Sequence, residues 1–166
     1  MLLLSELSLL QRWAAYHDKA AGLAASYFDY PTGTNAMPGR DITETTNPGN
    51  NANYYFNDYT ISFPYYRTEV GEFADSASPY GTFDQGGNVW EWNETDVNTG
   101  SRGLRGGSFS DSSLRLHASS RIVGFGFGPT LENFYGGFRV ASIPEPSTLL
   151  ILCFGSLSVL GTRKGR

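Results

Sequence analysis

One cysteine in 166 residues closes off several chemistries at once. Cys153 lies in an apolar run near the C-terminus, so the residues before it can form neither an internal disulfide nor a thiolate metal site. Charge is also scarce, at 17% of residues, and unevenly placed. Arg163, Lys164 and Arg166 against Glu145 give residues 142–166 a charge of +2, which leaves −6 on residues 1–141 out of a net −4. With no basic patch in that acidic stretch, nucleic acid is excluded as a partner. Phosphate-loop spacing is missing around every glycine pair, which argues against nucleotide binding, and no solenoid-length repeat is visible. The first residues, MLLLSELSLLQRWAAYHDKAAG, lack the basic start of an export signal, and Glu6 interrupts their apolar run. Leu3, Leu7, Leu10 and Ala14 instead recur at helical spacing and predict an amphipathic helix.

Aromatic residues, at 14%, and 20 glycines make up the other side of the balance. That composition suits one folded, loop-rich domain with a real core. Between Tyr27 and Ser142 short aromatic runs alternate with turn-rich connections such as YPTGTNAMPGRD and TTNPGNNAN. VWEW, GLRGGSF and GGFRVAS read as short strands, with Gly106-Gly107 and Gly136-Gly137 as bulges or close backbone approaches. Arg121 and Arg139 read as braces for carboxylates or carbonyls, with anion binding as the other possibility. The aromatic run GFGFGPTLENFYGGF either packs around glycine turns or lines a groove.

At Ile143 the composition changes. Pro144-Glu145-Pro146 forms a rigid spacer that stops helix from propagating backward. An apolar segment follows from Leu149 to Gly161, and Arg163-Lys164 closes the chain. About 13 apolar residues span roughly 20 Å as a helix, less than a bilayer core of about 30 Å. The terminal basic cluster nonetheless suits a cytoplasmic flank. These three parts in order resemble the PEP-CTERM sorting signal, the alternative being an ordinary terminal helix. The resemblance implies recognition by an exosortase-type sorting enzyme, export, and transient membrane anchoring in the cell envelope. Residues 1–142 and 143–166 are accordingly expected to be separate units, the second containing a hydrophobic helix. The absent export signal predicts that the chain starts inside a longer, truncated or frame-shifted protein.

The order YGTFDQGGNVWEW, RGLRGGSFSDSS, GGFRVA resembles the C-terminal part of the formylglycine-generating enzyme family, the sulfatase-modifying-factor domain. AAYHDKAAG, YFDYPTGTN and ANYY extend the likeness upstream to about Ala14, while the family's first strands have no counterpart. The fold so implied is an irregular, C-type-lectin-like α+β domain with little regular structure.

One carboxylate, Glu91, stands between Trp90 and Trp92, where burial is costly unless its charge is compensated. The resemblance implies calcium, held by the side chains of Asp84 and Glu91 and the carbonyls of Gly87 and Val89. An extended segment would point those two carbonyls the same way, and Gly86-Gly87 would let the backbone curl around an ion. A carboxylate bonded to a backbone turn is the other reading. A second calcium position would fall at Asn53 and the carbonyl of Tyr54, with Asp58 in an uncertain register.

The family's oxidation chemistry rests on two cysteines just after Gly-Gly-Ser, which hold copper. Here those positions carry Asp111 and Leu116, neither of them a Cu(I) ligand to match thiolate. This departure argues against copper and against formylglycine generation. Related iron oxygenases use three histidines, whereas only His17 and His117 exist, both read as packing or surface residues. Ser108, Ser110, Ser112 and Ser113 around Asp111 have no histidine in a triad pattern and read as a polar turn. The expectation is a non-catalytic, calcium-stabilised envelope domain that binds a surface polysaccharide or a protein. A family enzyme acting through residues outside this chain, or a purely structural component, are the alternatives.

Overall fold

A computed structural model describes residues 11–43, 49–98, 101–123 and 133–139. The expected helical register of Leu3, Leu7 and Leu10, and the whole of residues 143–166, lie outside them. Residues 11–16 are helical and run into an antiparallel bridge between His17 and Tyr27. Asp18 then caps a single 3-10 turn, Lys19–Ala21, by accepting from the Ala20 amide at 2.9 Å.

The strands of the described residues form one four-stranded sheet. Its strands are β1 (Trp90–Asn98), β2 (Ser101–Arg105), β3 (Ile122–Val123) and β4 (Gly136–Gly137), in the order β3-β2-β1-β4. β1 pairs antiparallel with β2, bringing Glu91 opposite Arg105, and parallel with β4, bringing Glu91 opposite Gly137. Apart from the helical residues 11–16 and the 3-10 turns Lys19–Ala21 and Ser113–Arg115, the rest of the described chain is turns and isolated bridges, as the density of Gly, Asn and Pro predicts for a low-regularity α+β domain. Two strand expectations need adjustment. Gly136-Gly137 is itself the fourth strand and forms no bulge. GLRGGSF stays extended only to Arg105, because Gly106 and Gly107 take φ of 91° and 74° and turn the chain away.

Two small apolar clusters pack the domain. Tyr30, Ala52, Tyr54 and Leu116 form one, and Ala15, Tyr16 and Ala118, with Tyr27 against them, form the other. The hydroxyls of the two most buried tyrosines find carbonyl partners. Tyr54 donates to Pro38 at 2.6 Å, and Tyr16 donates to Leu116 at 2.9 Å, joining the two clusters. Burial pushes both phenols above their ordinary range. Leu116, fully buried, is the side chain around which the segments meet.

Candidate functional site

The turn from Asp84 to Glu91 is built from left-handed backbone. Asp84, Gly87 and Asn88 have φ of 53°, 78° and 63°. Its amides are fixed from three directions: Gly87 donates to Gly106, Asn88 to Asn53 and Trp90 to Tyr135. A Cβ at Gly87 would lie 2.2 Å from the Asn53 carbonyl oxygen, so only glycine permits this approach. The extended geometry expected for residues 87–89 is therefore corrected. The Val89 amide donates to the Gly87 carbonyl at 2.8 Å, and β1 starts only at Trp90.

Glu91 is 7% exposed, and its partner is a guanidinium. Arg139, two residues beyond β4, donates through Nε to Oε1 at 2.5 Å. Its Nη1 donates to the Phe83 carbonyl at 2.9 Å, and its Nη2 to the Asp84 carbonyl. Gln11 donates to the second carboxylate oxygen at 3.3 Å. One side chain thus ties β4, the 83–84 turn and β1 together. Burial raises the Glu91 carboxyl above the usual carboxylate range, while the bond and charge of Arg139 pull it back.

This arrangement bears on a divalent cation. The Asp84 carboxylate turns to the Gly71 amide, 2.6 Å away, and both Glu91 oxygens are occupied. The Asp84 carboxylate thus bonds an amide and Glu91 a guanidinium, and no group of three His, Cys, Asp or Glu gathers among the described residues. Asn53 differs. It is fully buried, its Nδ2 donates to the Tyr66 carbonyl and to Asn88 Oδ1, and its own Oδ1 has no partner. An acceptor without a donor suits a cation. The Tyr54 carbonyl beside it accepts from Thr60 at 3.2 Å, and Asp58 accepts the Tyr59 amide at 2.8 Å.

The second constellation is the 108–116 turn. Asp111 accepts the Ser108 amide at 3.0 Å and the Ser108 hydroxyl at 2.5 Å, as an aspartate closing its own turn does. Ser110 lies 3.1 Å from the Ser108 hydroxyl, so the serines serve this turn. Leu116 is part of the core. His17 is buried against Trp13, with ring centroids 3.7 Å apart, and its nitrogens meet Tyr80 and the Ala24 carbonyl. His117 lies 3.1 Å from Asp29.

A third feature extends beyond the aromatic run GFGFGPTLENFYGGF. A continuous series of ring contacts runs from Tyr55 through Tyr59, Tyr66 and Phe109 to Tyr135 and Phe134. Phe109 is buried at its centre, near-parallel to Tyr66 and Tyr135 at 12° and 19°. Around it Phe63, Phe134 and Tyr55 are 79%, 57% and 39% exposed. Phe134 and Tyr135 belong to the run GFGFGPTLENFYGGF, and the other signal is the density of rings in YYFNDYTISFPYY.

With this geometry in view, comparisons place the chain. A family model described as a sulfatase-modifying factor enzyme 1-like domain matches residues 14–143. A PEP-CTERM protein-sorting motif matches residues 142–166. No curated protein matches the chain. The sorting motif marks a chain for export and for recognition by exosortase-type machinery. No helix of the described residues is long and apolar enough to cross a membrane.

Proposed function

Because the chain belongs to the sulfatase-modifying factor enzyme 1-like family and carries a PEP-CTERM sorting motif, we propose that it is an exported recognition domain of the cell envelope, without the family's oxidation chemistry. The observation that carries this reading is the aromatic face on the 108–116 turn. Phe109 anchors the rings, and the Asp111 carbonyl accepts the Tyr55 amide at 2.8 Å. Segment 108–116, where the family resemblance puts copper thiolates, here holds up a surface of exposed rings. Asp111 Oδ2 accepts from Ser108 and Leu116 lies in the core, so neither position offers the thiolate that Cu(I) favours.

Rings of this kind bind through their faces, and tyrosine adds a hydroxyl at the rim. A surface polysaccharide is the ligand class that this combination favours, since sugar rings offer apolar C–H faces and hydroxyls together. The acidic domain disfavours a polyanion as the polymer. Calcium remains in the proposal at Asn53 and the Tyr54 carbonyl, where the unpartnered Oδ1 would accept it. It would stiffen the chain just before Tyr55. At the Asp84–Glu91 turn a calcium ion would have to displace Arg139. The C-terminal segment completes the proposal as an envelope anchor processed at Pro144-Glu145-Pro146.

The test compares wild type with Phe63→Ala and Phe134→Ala in retention of purified neutral envelope polysaccharide. Both rings are mostly exposed, so stability should change by no more than about 0.5 kcal/mol. Retention should fall by about tenfold as stacking contacts are lost. Equal retention by all three proteins would refute a role for this face. In parallel, mass spectrometry of a cysteine peptide incubated with protein, Cu(I) and oxygen should show no protein-dependent conversion.

A further inference from the structure

Arg105 lies opposite Glu91 in the β1–β2 ladder, yet Glu91 gives its oxygens to Arg139 and Gln11. Arg105 instead directs Nη1 to the carbonyls of Ala118 and Ser120, each at 3.1 Å. Its Nε is buried without a partner. Arg12 lies on the first helix, whose Ala15 and Tyr16 pack on Ala118. The Arg12 guanidinium sits 4.1 Å from the centroid of Tyr27, a ring packed on the same cluster, and its Nε is also buried without a partner. Arg121 follows Ser120 directly and is exposed.

The Tyr27–Ala118–Ser120 patch therefore collects the guanidiniums of Arg12 and Arg105, with Arg121 beside it in the chain and near enough for its charge to act on Arg105. Among the described residues no ion pair joins Arg12, Arg105 or Arg121 to a carboxylate. Burial holds Arg105 below the ordinary guanidinium range; Tyr16 opposes this, and Arg12 and Arg121 add to it. Such a concentration of positive charge runs against residues 1–141, whose net charge is −6. Mutual repulsion is relieved by a shared anion, and guanidinium forks match the paired oxygens of phosphate, sulfate and carboxylate.

We propose that Arg12, Arg105 and Arg121 form a surface site for an oxyanion group, between the first helix and residues 118–121. The site is separate from the aromatic face and does not depend on it. Arg105 braces the backbone, while the half-buried Arg12 and the exposed Arg121 supply donors through their terminal nitrogens. The ligand is a small molecule or a terminal group bearing one such oxyanion.

Thermal melting of the full chain in mild detergent tests this, with sodium phosphate, sulfate and acetate each set against sodium chloride at equal ionic strength. The melting temperature should rise with at least one oxyanion and not with chloride, and the acetate arm separates carboxylate from tetrahedral ligands. The double variant Arg12→Gln, Arg121→Gln should melt slightly higher than wild type in anion-free buffer, because repulsion is removed. Its apparent affinity for the oxyanion should be weaker by about tenfold or more, the effect of losing charge-assisted hydrogen bonds. Equal effects of oxyanions and chloride on wild type would overturn the site. So would an unchanged response in the double variant, or a lower anion-free melting temperature, which would make the arginines structural.

Discussion

Glu91 has an arginine available on each side of β1, and it uses only one. On the β4 side Arg139 closes on the carboxylate and on the carbonyls of Phe83 and Asp84, with Gln11 completing the shell. On the β2 side Arg105, directly across the ladder, turns to the Ala118 and Ser120 carbonyls and shares its surroundings with Arg12 and Arg121. One region is a matched pair sealed by backbone; the other is an excess of positive charge with no counter-ion among the described residues. Residues of the same type thus do different work on two sides of one strand. A buried carboxylate is held where geometry lets one guanidinium serve it and the backbone together.

The largest effect that would break this comparison is Arg139→Gln. It leaves Glu91 buried with Gln11 alone. Loss of stability should be about 3 kcal/mol, at the low end for a broken buried pair because the Arg139 side chain is 35% exposed. The deficit should depend on pH with a definite sign. Glu91 already has a carboxyl raised above 4.5, and Arg139 is what restrains it. A group whose folded pKa exceeds its unfolded value binds protons more readily in the native state. Its stabilising contribution is full below about pH 4.5 and is lost as pH rises through the folded value. The variant should therefore fall furthest behind wild type near neutrality and recover ground as pH falls toward 4.5, as chemical denaturation across pH would show. A deficit independent of pH would mean that Arg139 matters only as a backbone brace.

A smaller effect is expected from Arg139→Gln combined with Glu91→Gln. With both charges gone the penalty of an unpaired buried carboxylate disappears, and the double variant should regain at least about 1 kcal/mol over Arg139→Gln at pH 7. A double-mutant cycle in urea measures it. Strict additivity of the two substitutions would dissolve the pair.

Much of this architecture was readable before any coordinates. The turn density from Tyr27 onward forecast low regularity, and VWEW, GLRGGSF and GGFRVAS supplied the central pieces of the sheet. The tail PEP, apolar segment, Arg-Lys carried its own address, because its physical order is linear. The partner of Glu91 was harder to see. Arg139 had been read as a brace for carboxylates or carbonyls, but 48 residues separate it from Glu91, and only the parallel β1–β4 pairing makes them neighbours. The calcium expectation came from the family resemblance, and only its picture of an extended 87–89 segment is changed by the structure. Left-handed φ at Gly87 and Asn88 is a tertiary choice, set by contact with Asn53, that periodicity cannot express. The aromatic face and the arginine patch were legible only in part, as a groove reading of GFGFGPTLENFYGGF and an anion reading of Arg121, for the same reason. Tyr55, Tyr66, Phe109 and Tyr135, like Arg12, Arg105 and Arg121, come from segments that meet only through loops.

The most direct measurement of the central claim, that Glu91 belongs to Arg139, is the calcium dependence of melting in wild type and Glu91→Gln. Each protein is melted first with chelator and then along a calcium titration. Whatever calcium does at Asn53 should be the same in both proteins, so the account predicts equal shifts in melting temperature at every concentration. A shift present in wild type and abolished in Glu91→Gln would place a calcium ion on the carboxylate and contradict the pairing with Arg139.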